Sequence, residues 1–389
     1  MTRPHGWIRA GATLLALLVA PGALDAQSLF GSRGLGVVVT PADGRTAALG
    51  GLGIALPGPS AALLNPADAA EVTRRGVIVA IQPSATEVEA SGGSDEVSAT
   101  RFPLVQLLLP FGRRTVLTAG YGSYLDQNWG VVSRSTEILG SDTVIAVDRI
   151  TSRGGIAQGR AGLAYDITES FTVGATIGFL TGSSRREARR EFEDDDIGLS
   201  PFGSEVRTSY SAPLATLGVR LRAGEMVRVG AALTWTGDLG VDDGETESEV
   251  NMPLQAVGGA SAQLLDDLLV AASARWTGWS ATDDLEDVTA EDVIDFGGGI
   301  EWSGLRTARR VFPVRLGGRW GPQPFSFGAE APGERAITFG FGARLAGTDE
   351  SPMALVDLGF ERGSRGDFEE NGLAETFWRA TVSISLFSQ

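Results

Sequence analysis

Few side chains here could do covalent chemistry. The 389 residues contain no cysteine and no lysine, so all 32 basic residues are arginine, and the one histidine is His5. Residues 1–26 read as a segment removed on export, which leaves a chain without imidazole, thiol or side-chain amine. Ser-His-Asp and Cys-His catalysis, His/Cys zinc sites, lysine Schiff bases and the phosphate-binding P-loop each need one of those groups. The expectation is therefore a protein that is not an enzyme, with no cofactor and no metal. A carboxylate pair is the one acid–base arrangement left, and no spacing puts such a pair in a pocket. What remains is the guanidinium, a permanent cation suited to carboxylates and other anions.

Eight arginines share one setting. Arg160, Arg220, Arg228, Arg275, Arg315, Arg319, Arg344 and Arg379 each occupy a polar position in a segment that alternates polar with apolar. In the last segment Trp378, Ala380, Val382, Ile384 and Leu386 alternate with Arg379, Thr381, Ser383 and Ser385. A strand sends successive side chains to opposite faces, so such a segment has one apolar and one polar wall. Val227, Val229, Ala231, Leu233 and Trp235 repeat the pattern, as do Phe171, Val173, Ala175, Ile177 and Phe179.

The pattern recurs in about fourteen strand cores: 77–89, 97–109, 115–125, 154–165, 171–184, 205–221, 226–236, 249–263, 268–279, 292–302, 311–320, 335–345, 353–361 and 376–387. Tight connections such as 110–114, 166–170 and 222–225 alternate with long, charged ones such as 126–153, 189–204 and 237–247. That asymmetry and an even strand count predict an all-β fold: a closed, antiparallel transmembrane β-barrel of the bacterial outer membrane, with the short turns periplasmic. Residues 131–147 read as an extracellular extension of the second long loop, with an extra hairpin as the alternative. Outer-membrane lipids are then the first partners, met by the apolar parity. Trp235, Trp276, Trp279, Trp320 and Trp378 fall near the long loops, and Trp302, Tyr165 and Phe171 near the tight turns, as two interfacial girdles would. A soluble β-sandwich is the competing arrangement; it would scatter its rings along the strands.

The chain's start supports export. Arg3 and Arg9 precede the apolar stretch Ala10–Ala20, and small residues end at Ala26. No stretch is long enough to span a bilayer as a helix. Removing residues 1–26 takes away Arg3, Arg9 and Asp25 and moves the formal net charge from −16 to −17. Such a chain repels phosphate backbones, so no nucleic-acid partner is expected.

Residues 27–75 differ from the rest, being small, apolar and sparsely charged. Ser60 is placed to cap a short turn over 61–64, which must stop before Pro66. Asn65 then caps a second turn with Pro66 at its first position. Two such turns make a compact plug rather than a strand. The arginines, facing Glu301, Asp357 and Glu361, should form ion pairs with one another or with this plug, because unpaired buried charge is costly. An arginine-lined passage for an anionic head and a solvated structural network both satisfy that pattern. The acidic run Glu191–Asp196 reads as a solvated loop. A calcium loop over Asp238–Glu249 fails, because Leu239 and Val241 fall where oxygen ligands belong.

The segments Arg45–Gly51 and Leu63-Leu64-Asn65-Pro66-Ala67 resemble the N-terminal hatch of the FadL superfamily of outer-membrane proteins, in particular its PorV/PorQ-like branch. The closing stretch from Glu361-Arg362-Gly363 to Leu386-Phe387 is similar to that branch's final hairpin. Asp68 stands where the family usually has glycine, and Phe387 falls on the inward parity. The resemblance implies a signal peptide over 1–26, a hatch over 27–75 inside the barrel and a barrel over 76–389, with Asn65, Pro66 and Ala67 shaping the hatch. It implies passive uptake of hydrophobic, fatty-acid-like small molecules, whose polar head would meet the eight arginines. The alternative it implies is a non-transporting partner of a secretion machine, engaging secretion components or exported proteins.

Overall fold

The computed structural model describes residues 28–388 except 62, 140–141, 194–199, 283–287, 308–310, 329 and 348–351. The expected export signal and the run Asp194–Asp196 lie outside the described residues. Eighteen strands form one sheet. In chain order they are β1 (Val37–Val38), β2 (Gly76–Ala90), β3 (Gly93–Phe111), β4 (Thr115–Asp126), β5 (Trp129–Leu139), β6 (Asp142–Asp166), β7 (Phe171–Phe192), β8 (Phe202–Ala223), β9 (Val227–Thr236), β10 (Leu239–Asp242), β11 (Glu247–Val250), β12 (Gln255–Leu265), β13 (Leu268–Thr277), β14 (Val293–Trp302), β15 (Val314–Pro322), β16 (Gly333–Gly347), β17 (Pro352–Arg365) and β18 (Leu373–Phe387).

Fourteen of them close a barrel. Antiparallel pairing runs β2–β3–β4–β6–β7–β8–β9 and on through β12 to β18. β18 returns to β2 from Phe387↔Gly76 to Leu373↔Ala90. The other four are accessory: β5 is a hairpin partner of the far half of β6, β10 and β11 form a loop hairpin, and β1 belongs to the N-terminal segment. The stretch 131–147 is thus a hairpin that continues β6, and the core expected over 249–263 divides into β11 and β12. Among the described residues no helix is long and apolar enough to cross a membrane.

The polarity of the wall is inverted relative to a soluble fold. Ile177, Leu217 and Ile337 stand outward and exposed at 74%, 67% and 67%, while Thr176, Thr216 and Thr338 beside them are buried. Exposed apolar patches on water-soluble monomers rarely exceed a few hundred Å2, so an apolar band encircling the barrel belongs against hydrocarbon. Tyr165, Trp235, Trp276, Trp302, Trp320 and Trp378 are exposed on this outer face. Trp279 is a correction to the girdle. β13 ends at Thr277, and Trp279 turns inward in the following 3-10 turn, 1% exposed and edge-on to Phe325 at 5.2 Å.

Pairing along the wall is uneven at one seam. β3 and β4 pair only over Val105–Phe111 and Thr115–Tyr121. Pro103 has no N–H to offer beyond that point, and the inward parity of β3 changes across it: Leu104, Gln106 and Leu108 are buried, whereas on the other side Val97, Ala99 and Arg101 are half-buried between exposed neighbours. The vacated edge of β4 is taken by β1, with Val37↔Asp126 and Val38↔Leu125 as partners, and Val39 N donates to Tyr124 O at 2.9 Å.

Candidate functional site

Described residues of the N-terminal segment pack against inward positions of the wall. Asp43 caps the helix α1 (Gly44–Ala48): one carboxylate oxygen accepts from Thr46 N at 2.7 Å and the other from Ala61 N at 2.6 Å. The turn expected over 61–64 is replaced by this tether, since none of the described residues 61, 63 and 64 is helical. α1 packs against β15–β18. The wall gives way to it with glycine: a Cβ on Gly297 would lie 2.3 Å from Gly50 O.

Asn65 caps a 3-10 turn over Pro66–Glu71, its Oδ1 accepting from Ala67 N at 3.1 Å and its Nδ2 donating to Val219 O of β8 at 3.2 Å. Asn65, Pro66 and Ala67 are all buried. They dock onto glycines of β7 and β8. A Cβ on Gly174 would meet Ala67 N at 2.4 Å, and one on Gly218 would meet Asn65 Oδ1 at 2.1 Å. Asp68 lies beneath, accepting from Ala55 N at 3.1 Å, and burial pushes its carboxyl up to about 7. A glycine at this position could not hold the Ala55 amide.

The eight arginines are distributed rather than gathered. Arg315 donates to Glu301 at 2.6 Å and to Asp357 at 2.7 Å, and Arg45 of the N-terminal segment closes on the same Glu301 at 2.8 Å. Arg319 binds Glu334 and Glu361, and Arg379 reaches Glu361 at 3.2 Å. Arg275 pairs with Asp295 of β14 at 2.8 Å. Arg220 and Arg228 converge with Arg222 on Glu71, at 2.7, 3.6 and 3.0 Å. Burial would raise the Glu71 carboxyl, but Arg220, the Gly58 amide, Arg228 and Arg222 together hold it below its ordinary range. Arg344 lies apart at the short-turn end, along a groove beside Arg45 and Pro57.

Arg160 is the exception. It is 6% exposed, and its described partners are all neutral: Gln158 Oε1 at 2.8 Å, Leu63 O at 3.1 Å and Thr216 Oγ1 at 2.7 Å. Sequence reasoning missed Arg101, Arg365, Glu334 and Glu375. Arg365 joins Glu334 at 2.6 Å to Glu375 at 2.9 Å, and Arg101 faces Asp126 at 3.5 Å. All but Arg101 lie toward the long-loop ends of strands, where the described strands extend past the expected cores. Arg101 lies beyond the parity change at Pro103.

Other inward positions are apolar: Ile78, Leu104, Leu108 and Val116 pack on Leu63 and Val72, and Leu269 packs on Leu49 and Leu56. Tyr124, Leu125, Ile156, Leu180 and Leu214 point inward toward the long loops and form an apolar cluster with Leu35, Trp279 and Phe325. Val38 packs against it. Beside it lies a cavity of about 70 Å3, with Val38, Tyr124 and Trp279 on one side and Arg101, Arg319 and Arg379 on the other. Among the described residues no group of His, Cys, Asp or Glu could hold a metal ion.

A family model described as BamG matches residues 11–221, more than half of the sequence. The chain belongs to the BamG family. Solved structures similar to this family member include a Pseudomonas aeruginosa FadL homologue, at 15% identity and a TM-score of 0.61, covering 90% of this chain and 98% of that one. The Pseudomonas putida toluene transporter TodX superposes with a TM-score of 0.58 at 13% identity, covering 94% and 100%. The CymD monoaromatic hydrocarbon channel gives 0.55 at 15%, covering 91% and 98%. At these identities the likeness is one of fold, a FadL-like barrel of outer-membrane type. Among curated proteins no sequence match is significant.

Proposed function

We propose that this protein is an outer-membrane barrel for passive uptake of hydrophobic small molecules, with residues 28–75 as its internal hatch. The observation that carries the reading is the inward apolar cluster of Tyr124, Leu125, Ile156, Leu180 and Leu214 toward the long loops, with Val38 of β1 packed against it. Burying such side chains where water would otherwise stand costs nothing for a structural filler, but it also makes a path that an apolar solute can follow. The cluster leads from the long loops to β1, at the seam where β3 and β4 part. An apolar solute that displaced Val38 and Val39 would leave through that seam into the lipid. TodX and CymD, named for toluene and monoaromatic hydrocarbons, share the barrel fold and supply the precedent for such cargo. A fatty acid adds a carboxylate, which Arg101, Arg319 and Arg379 beside the cavity would receive.

The second reading is a non-transporting partner of a secretion machine, as in the PorV-like branch. The small cavity of about 70 Å3 and the paired charges beside it favour this reading. Uptake of labelled fatty acid and of toluene into protein-loaded liposomes separates the two. The first reading expects uptake well above empty vesicles and a changed rate for Asn65→Ala. Uptake no greater than that of empty vesicles, for both solutes, removes it.

A further inference from the structure

Beyond the apolar band, β6, β7 and β8 carry charges in an order that strand pairing by itself disfavours. On the outward parity Arg153 stands directly opposite Arg185, and Arg185 directly opposite Arg207. Four residues farther out, Arg149 stands opposite Arg189. Directly opposed side chains on one face have Cβ atoms about 5 Å apart, and like charges there repel. The nearby carboxylates relieve this only in part. Glu187 and Glu205 both bind Arg185 at 2.8 Å, and Glu191 binds Arg189 at 2.8 Å. Arg149, Arg153 and Arg207 have no anionic partner among the described residues. On these outward strand positions five arginines stand against three glutamates, in a chain of formal net charge −16.

A second observation marks the same place. Arg149 and Arg153 line a groove of about 400 Å3 where β5 and the outer part of β3 face each other unpaired, with Val88, Val97 and Val132 and one carboxylate, Asp95, on its other walls. The height of the arginines identifies what could reach them. Arg207 lies fourteen residues beyond Leu221, an outward residue at the short-turn end of β8. At about 3.3 Å per residue and a tilt of about 40°, that is roughly 35 Å above it. The apolar band of such barrels is about 25 Å tall, so the first rung of arginines stands roughly 10 Å past its edge. Arg149 and Arg189 stand roughly 10 Å higher again. A phospholipid headgroup layer is only about 5–8 Å thick, so its single layer of phosphate falls short of the upper rung.

We propose that this face binds the anionic saccharide headgroup of an outer-leaflet glycolipid, one that carries phosphate or carboxylate groups at more than one height. Its charges sit on Arg153, Arg185 and Arg207 below and on Arg149 and Arg189 above, and the groove beside β5 takes a sugar unit. The inference rests on the outer-membrane placement and not on uptake, so a protein that transports nothing would still bind.

The test titrates the purified full-length mature protein in nonionic detergent with lipopolysaccharide bearing a phosphorylated core, and separately with phosphatidylglycerol. Wild type is expected to bind the lipopolysaccharide in a salt-sensitive manner and the phospholipid much more weakly. Arg149→Gln/Arg153→Gln/Arg207→Gln should weaken lipopolysaccharide binding at least about tenfold, since charge-assisted contacts are lost. Arg335→Gln, outward at the same end of another wall, should leave it unchanged. If the triple variant does not fold, single Arg207→Gln carries the test with a loss of about threefold. Equal binding of the two lipids, or undiminished binding by the folded variants, overturns the proposal.

Discussion

Along β14–β18 the inward positions are charged and matched, whereas toward the long loops of β4–β8 they are aliphatic. On the first side Glu301 and Asp357 answer Arg45 and Arg315, and Glu334, Glu361 and Glu375 answer Arg319, Arg365 and Arg379. On the second, Leu125, Ile156, Leu180 and Leu214 meet Trp279 and Leu35, and Arg160 of β6 meets neutral acceptors. The difference separates two jobs. Ion pairs are directional, and removing one partner leaves a stranded charge, so a charged wall fixes the N-terminal segment in one pose. Apolar contacts are non-directional, so a greasy wall can exchange one occupant for another.

Substitutions should expose this contrast. The largest effect is expected from Glu334→Ala, which takes a carboxylate from both Arg319 and Arg365 and should cost about 3–5 kcal/mol, read from thermal unfolding in detergent. Arg160→Met should cost only about 1–2 kcal/mol in the same assay, because it strands no carboxylate. A loss as large as that of Glu334→Ala would erase the distinction between the walls. Leu180→Ala, on the aliphatic side, should lower stability by about 3 kcal/mol through the cavity it leaves.

Asn65→Ala should cost about 1–2 kcal/mol, since it removes a cap and the bond to Val219 O; the reading is faster tryptic cleavage within residues 28–75. The smallest effect concerns pH. Burial raises the docked Asp68 carboxyl to about 7, so between the usual carboxylate range and about 7 it is protonated when docked and ionised when released. Docking is therefore strongest below the usual carboxylate range near pH 4 and weakens as pH rises through about 7. Tryptic sensitivity should follow that curve among the groups facing Asp68, which are Asn65, Arg220 and Glu71. Asp68→Asn should flatten it.

Most of the wall was legible because lipid on one side and water or plug on the other impose a strict two-residue period. Thr376–Phe387 and Val227–Thr236 carry it without interruption, and their strands lie where alternation places them. The period misled wherever backbone chemistry broke it. Pro103 shifts the parity of β3, so Arg101 turned inward unannounced, and Trp279 left its strand two residues early. The Asn65-Pro66 turn was legible because capping is local chemistry. The helix α1 was not, because its cap Asp43 is recognisable only through its second bond to Ala61, which depends on the tertiary fold. Arg365 and Glu375 were missed for a related reason: charged residues at a strand's outer end read as loop until the partner strand is known.

The exit route proposed for an apolar solute runs past β1, where Val38 and Leu125 are cross-strand partners. The chain has no cysteine of its own, so Val38→Cys/Leu125→Cys introduces a single possible disulfide. The decisive measurement is uptake of labelled toluene or fatty acid by liposomes carrying this variant, oxidised and then reduced. The account predicts uptake at the level of empty vesicles while the disulfide is closed and recovery on reduction. Equal uptake in both states would contradict it.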